Sequence, residues 1–300
     1  MSSQYVVIQR NPRSGSGSPR QRLLKLISEL RRHGLKVRLF RDRGRLGRWL
    51  AIPEHREKLR CLVAAGGDGT VADIFNRFPG LPLAIMPSGT ENLTARFLGI
   101  PKCGETVARM ILGGHTHTFD LGQLEAGQVG QRRFLLMASA GIDASVVQSV
   151  HEGRKGHITR ASYFQPLWQT LRTYAYPEVR VWIDDHPQPY VTRHVMVVNV
   201  PIYALGLNFA RDADGSDGWL DLRLFQRGSA FQNARYLFKV LSGNHERLPE
   251  VVSLRARRIR LEAATPLPLQ IDGDPFGCTP AEIKLLPSAL TLFVPSGWKS

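Results

Sequence analysis

The chain has 300 residues, 43% of them hydrophobic and 22% charged, which exceeds the usual single-domain size, excludes a disordered chain and predicts two domains. Its longest apolar runs, such as Phe134 to Met137, are strand-sized and far from the roughly 18 residues that span a bilayer, which excludes an integral membrane protein. The net charge of +15 is uneven: residues 10–60 hold 16 Lys or Arg against 4 Asp or Glu, a local excess of +12 that attracts nucleotides, nucleic acid or an anionic membrane face.

Met1 is followed almost at once by the apolar run Tyr5 to Ile8, with no charged region and no signal-peptide-length apolar region, which predicts a cytoplasmic location. Alternating patterns then predict strand Tyr5 to Gln9, helix Pro19 to His33, strands Lys36 to Phe40 and Cys61 to Ala65, helix Val71 to Phe78, strand Leu83 to Met86 and helix Glu91 to Leu98. In the first helix Leu23, Ile27 and Leu30 recur at helical spacing, so one face packs on a sheet. Short continuous apolar strands suit a parallel sheet covered on both faces, and residues 1–121 read as an α/β domain.

From about Asp120 longer strands take over: Val179 to Asp184, Val191 to Val200, Leu220 to Phe225, Arg257 to Glu262, Leu267 to Ile271 and Leu290 to Val294. Helices are predicted at Ala144 to His151, Ala161 to Tyr174 and Ala230 to Leu241, within a β-rich, sandwich-like domain over 122–300. The aromatic and basic residues of His151 to Tyr176 suit either an interfacial helix or a core helix. Cys61, Cys103 and Cys278 are odd in number and far apart, which predicts free thiols. His115 and His117 share a strand face and read as surface or packing histidines ahead of a metal pair.

The clearest chemical signal is Gly66-Gly67-Asp68-Gly69-Thr70, between a strand and a helix. Glycines there let the backbone approach an anion, and the N–H groups opening the helix stabilise negative charge. Asp68 would repel phosphates unless a cation lay between them, which points to a divalent metal such as Mg²⁺; the other reading, a residue that caps a helix, stays open. The overlapping Gly67-x-Gly69-x-x-Ala72 fits a dinucleotide fingerprint, but the next strand ends in Met86-Pro87, without the acidic residue that fingerprint needs. A P-loop is excluded, because the chain contains no Gly-Lys pair. Two more loops follow strands of the same domain, Asn11-Pro12-Arg13-Ser14-Gly15-Ser16-Gly17 and Pro87-Ser88-Gly89-Thr90-Glu91-Asn92, and should meet the first at the carboxyl ends of the strands.

Together, Asn11-Pro12-x-Ser14-Gly15, Gly66-Gly67-Asp68-Gly69-Thr70 and Pro87-x-Gly89-Thr90-x-Asn92 leading to Ala95-Arg96-x-Leu98-Gly99-Ile100-Pro101 resemble the diacylglycerol kinase catalytic-domain family, which includes bacterial lipid kinases and sphingosine and ceramide kinases. The likeness continues through Phe119-Asp120-Leu121-Gly122, Gly141-Ile142-Asp143-Ala144, Asp214-x-x-Asp217-Gly218 and Ile271-Asp272-Gly273-Asp274. It implies an ATP- and Mg²⁺-dependent lipid kinase with a nucleotide-binding first domain, a lipid-substrate second domain whose last strand returns to the first, and an active site in the cleft between them. Nucleotide contacts would come from Asn11, Ser14, Gly15, Gly66, Gly67, Asp68, Gly69, Thr70, Ser88, Gly89, Thr90 and Asn92. Asp68 would serve the catalytic metal with support from Asp120, Asp214 and Asp217 would hold a second metal, and Asp274 would be the general base. Without the resemblance, Asp214 and Asp217 read as an Asx-type turn.

The implied partners are a lipid substrate and, transiently, an anionic membrane surface; no specific nucleic acid is implied, and a homodimer is left open. The chain departs from the family pattern at Asp274, where Glu is usual, at Leu93, where Asp is common, at Ala204-Leu205-Gly206 and at Arg41-Asp42-Arg43-Gly44-Arg45. Two other functions stay in view: a soluble-substrate kinase of the NAD kinase type, whose family shares the GGDGT loop, and a non-enzymatic polyanion-binding module drawn to the basic segment.

Overall fold

The computed structural model describes residues 4–11, 19–153, 164–203 and 208–299. Ser14 and Gly15, the start of the helix expected from Ala161, and Ala204-Leu205-Gly206 lie outside the described residues. The chain divides into two units, residues 1–119 with 288–300 and residues 120–287.

In the first unit, β1 (Tyr5–Arg10), β2 (Lys36–Phe40), β3 (Leu59–Gly66) and β4 (Leu83–Pro87) pair in parallel in the order β2-β1-β3-β4. The central strands are apolar almost without a break, so both sheet faces must be covered. Helices α1 (Pro19–Arg32), α2 (Arg43–Leu50), α3 (Pro53–Glu57), α4 (Asp68–Arg77), α5 (Leu93–Phe97) and α6 (Gly104–Gly113) connect the strands. On α1 the core positions are Leu23, Leu26 and Leu30; Leu26, not Ile27, completes the buried stripe at i, i+3 and i+7. Gly104 lets α6 approach α1, since a Cβ there would lie 2.0 Å from the Arg22 carbonyl oxygen. The arginine-rich segment after β2 starts α2, capped by Asp42 Oδ1, which accepts from Arg45 N at 2.7 Å.

The chain leaves this unit within β5 (Thr116–Ala126) and returns within the 13-residue β16 (Ala281–Phe293), whose Leu292 pairs in parallel with Leu83. His117 packs its ring 4.7 Å from Phe119 and 4.9 Å from Trp298, in keeping with a packing histidine.

The second unit is a two-sheet sandwich. One sheet orders β12 (Val251–Ala256), β11 (Leu220–Phe225), β10 (His194–Val198), β7 (Met137–Ala140), β14 (Pro268–Ile271) and β15 (Asp274–Cys278), all antiparallel. The other runs from the first residues of β16 through β13 (Arg258–Ala263) and β8 (Val179–Ile183) to β9 (Tyr190–Thr192), with β5 also paired to β6 (Gly130–Phe134). Val181, Ile259 and Ile283 of one sheet share a core with Val197, Leu222 and Leu269 of the other. The single strand expected from Val191 to Val200 is two strands, because the chain turns at Arg193 between β9 and β10. Three helices complete the unit: α7 (Ile142–Glu152), α8 (Phe164–Thr173) and α9 (Ala230–Leu241).

Candidate active site

At the carboxyl ends of β3 and β4 two glycine-bearing loops touch. A Cβ on Gly89 would stand 2.6 Å from the Cα of Gly67, and one on Gly66 would stand 2.1 Å from Thr70 Oγ1, so the spacing requires glycine at both places. Ser88 N donates to the Gly66 carbonyl at 2.9 Å and locks the loops together. Asn92, in the left-handed region at φ 50°, closes its own loop by accepting from Gly89 N at 2.8 Å and donating to Gly89 O at 2.7 Å. Lys102 donates to that carbonyl at 3.2 Å.

Asp68 sits in the first turn of α4, but its carboxylate reaches the next helix: Oδ2 accepts from Leu93 N and Oδ1 from Thr94 N, both at 2.9 Å. It therefore caps α5, and the helix whose cap it provides is not the one that it opens. At α4 itself Thr70 N and Val71 N are satisfied by the Gly67 carbonyl, while the N–H groups of Asp68 and Gly69 meet no protein acceptor among the described residues. A small pocket beside the loops is lined by Arg10, Asn11, Arg22, Leu23, Ala65, Met86 and Ser88. Thr90 and Gly69 are exposed at the rim of the loops. The sequence reading missed Arg10 and Arg22, two basic residues that line this pocket, because neither belongs to a glycine motif.

The second unit gathers the remaining candidates at two places. Asp120 is buried; its N–H donates to Gly215 O at 2.6 Å and its Oδ2 accepts from Gly218 N at 2.8 Å, so it braces the turn that carries Asp214 and Asp217. Asp214 Oδ1 accepts from Ser216 N at 3.0 Å and Ser216 Oγ at 2.7 Å, the Asx-turn pattern. Asp217 Oδ1 accepts from Trp219 N at 3.0 Å, and its Oδ2 lies 3.2 Å from Arg255 Nη1. The structure thus sets Asp120, expected beside the catalytic metal of Asp68, against the turn of Asp214 and Asp217, expected at a second metal; among the described residues no three acidic, histidine or cysteine side chains form a group able to hold a metal ion.

Asp274 opens β15 directly after a two-residue turn. Asp272 and Gly273 have φ of 49° and 84°, and Ile271 pairs with Asp274, the Asp-Gly hairpin geometry that matches strand twist. Asp272 fixes this turn by accepting from Leu135 N, Leu136 N and Met137 N at 2.9 to 3.1 Å. Burial pushes its carboxyl up to about 6, even though the three N–H donors pull the other way. Asp274 itself is part-exposed and faces a guanidinium and an imidazole: Arg132 Nη2 at 2.7 Å from Oδ2 and His151 Nε2 at 3.5 Å from Oδ1. Burial raises its carboxyl, but the hydrogen bonds from His151 and Arg132 outweigh that and hold it below its ordinary value. His151 turns Nδ1 to the Val147 carbonyl at 3.0 Å, which only accepts, so Nε2 is a donor toward Asp274 when the ring is protonated. Neither Arg132 nor His151 was singled out from the sequence; they stand 142 and 123 residues from Asp274, and no local pattern joins them.

Residues 5–124 match the diacylglycerol kinase catalytic domain, and residues 137–294 match the YegS C-terminal NAD kinase beta sandwich-like domain. A diacylglycerol kinase of Mycobacterium tuberculosis is 29% identical over 291 residues, covering 95% of this chain and 93% of the relative. One from Staphylococcus aureus is 23% identical over 300 residues, covering 95% and 91%. The crystal structure of a diacylglycerol kinase from Bacillus anthracis superimposes with a TM-score of 0.72 at 20% identity over the whole of both chains, a likeness of fold. With an α/β first domain, a β-sandwich second domain and both family matches in order, the chain belongs to the diacylglycerol kinase catalytic-domain family.

Proposed function

We propose that the protein is a lipid kinase that transfers the γ-phosphoryl group of ATP to a lipid hydroxyl, of the diacylglycerol, phosphatidylglycerol or sphingoid class. The observation that carries this reading is the Gly67–Gly89 contact beside α4, where two first-turn N–H donors meet no acceptor among the described residues at the end of a parallel sheet. Such a cradle suits phosphate oxygens, and the adjoining Asn11, Ser88, Arg10 and Arg22 suit the same polyanion. We assign Ser14, Gly15, Thr90 and Asn92 to the same task by their place in the motifs.

Asp274 is the proposed base. It takes the proton of the lipid hydroxyl while that oxygen bonds to the γ-phosphorus and the β–γ bridging bond breaks, leaving ADP and a phosphorylated lipid. Arg132 and His151 hold its carboxylate in one orientation and keep it ionised. For a metal, the donor set at Asp68 fits Mg²⁺, which takes one or two carboxylates along with phosphate oxygens, and each Asp68 oxygen keeps a lone pair beyond its N–H bond. Bound there, Mg²⁺ would neutralise charge on the phosphates. The set at Asp120, Asp214 and Asp217 fits less well, since the Arg255 guanidinium already stands 3.2 Å from Asp217 Oδ2, and no step is drawn through an ion there.

The test is transfer of labelled γ-phosphate from ATP to a panel of lipids in mixed micelles, with and without Mg²⁺, using Asp68→Asn and Asp274→Ala as controls. Label in one lipid that disappears in both variants is the expected result. Label in NAD with none in any lipid would instead favour a soluble-substrate kinase.

A further inference from the structure

Helix α9 is amphipathic in an unusual sense: both of its faces are apolar. Ser229 caps it, its Oγ accepting from Gln232 N at 3.1 Å, and the inner face buries Asn233, Tyr236 and Val240, with Tyr236 4.9 Å from the Phe225 ring. On the opposite face Phe231 is 76% exposed, Phe238 68% and Leu241 65%. Seven residues, or two turns, separate the two phenylalanines, so they stand on one face, with Leu241 a turn beyond. Helix α8 packs against α9 and adds Trp168, 54% exposed. Isolated exposed apolar side chains need no explanation, but four large ones on two adjoining helices mark a contact surface.

The charges around this patch select its partner. Arg172 stacks 4.5 Å over the Trp168 ring, Lys239 lies on α9, and the Arg211 guanidinium covers Gly243 just beyond the helix end. Arg235, also on α9, is paired with Glu250. Neither α8 nor α9 contains an acidic residue. A symmetric contact with a second copy would set this positive rim against itself. An anionic bilayer meets both demands, taking the aromatic rings at the boundary of headgroups and acyl chains and the cations at the headgroups. At 12 residues, about 18 Å of helix, α9 is too short to cross a hydrocarbon core of about 30 Å and would lie in its surface.

We propose that the outer face of α9, with Trp168 and Arg172 of α8, is the surface by which this protein docks on anionic membranes. The choice of a lipid surface rests on the lipid-kinase reading, but the test is independent of it. The whole protein is sedimented, without ATP, with vesicles of phosphatidylcholine alone and with added phosphatidylglycerol. Binding is expected only to the anionic vesicles, weakening with salt, and Phe231→Ser with Phe238→Ser should lower it at least about tenfold without changing thermal stability. Lys239→Glu with Arg172→Glu should lower it too, with the rings intact. Transfer to a short-chain, monomeric diacylglycerol, measured on the same samples, reports on the kinase reading separately; its failure leaves the vesicle result standing. Unchanged binding by the Phe231/Phe238 variant overturns the proposal, as does a wild-type dimer that becomes monomeric in that variant with vesicle binding retained.

Discussion

Asp68 and Asp274 are both carboxylates set beside glycine turns at the end of a strand, and they are held by opposite means. Asp68 is held by two backbone N–H groups at the start of α5, 25 and 26 residues away. Asp274 is held by two side chains, the Arg132 guanidinium and the His151 imidazole, on β6 and α7. Both kinds of donor favour the ionised carboxylate and so weaken it as a base. The side-chain donors differ in that they can be removed one at a time, and the guanidinium adds a full charge. The first arrangement suits a permanent part of an anion site; the second suits a group whose proton affinity matters.

Removing a carboxylate should separate the two most sharply. Asp274→Ala is expected to cost about 10²- to 10⁴-fold in kcat with a melting-temperature loss no larger than that of a part-exposed ion pair, because the base is lost and the turn, fixed by Asp272, remains. Asp68→Ala should also lower stability, by about 0.5 to 2 kcal/mol, the cost of a lost helix cap. Steady-state kinetics beside thermal melts of both variants check this, and equal stability losses would erase the distinction.

Glycine replacement gives the next largest effect. Gly89→Ala forces a methyl against the Gly67 backbone, where neither side can yield easily, and should destabilise by about 1 to 3 kcal/mol while weakening ATP binding. Gly69→Ala meets nothing within 4 Å and should leave stability nearly unchanged. Thermal melts with nucleotide titration calorimetry read both, and similar losses in the two variants would refute a glycine contact that builds the cradle.

Arg132→Gln sharpens the Asp274 half of the comparison. Asp274 must be ionised to act as base, so activity falls on the acid side as pH drops through its lowered titration point. Taking away the Arg132 donor lets that point rise, which should move the acid limb of the kcat/KM profile to higher pH. A limb that stays in place would mean that some other group governs it.

Much of the first region was legible because its determinants are local. The loop glycines lie next to one another in the chain and mark close backbone approach, whereas the partner of Asp68 was not visible, since a carboxylate before a helix looks like a cap for that helix. In the β-rich unit the strands showed through alternation, but not the break at Arg193. The predicted core position Ile27 yielded to Leu26 because two helical spacings fit the same leucine-rich stretch. For the second region the sequence offered Asp272-Gly273-Asp274 as a turn. It could not offer Arg132 or His151, which come from β6 and α7 and meet Asp274 through side-chain contacts across more than a hundred residues of chain.

The smallest expected effect lies two residues from the base and has the opposite sign. With its folded titration point raised to about 6, Asp272 binds its proton more tightly in the folded protein than in the unfolded chain. Its contribution to stability is therefore fully present below the ordinary carboxylate value of 3.8 and is lost as pH rises through about 6. Asp274, held low, does the reverse: its contribution is present above the ordinary value and is lost on acidification. Melting temperatures between about pH 4 and 7 should fall with rising pH in the wild type and flatten in Asp272→Asn, since asparagine tolerates the left-handed φ of 49° and does not titrate. A wild-type slope that survives in that variant would place the titrating group elsewhere and leave the Asp272 turn as a purely hydrogen-bonded support for Asp274.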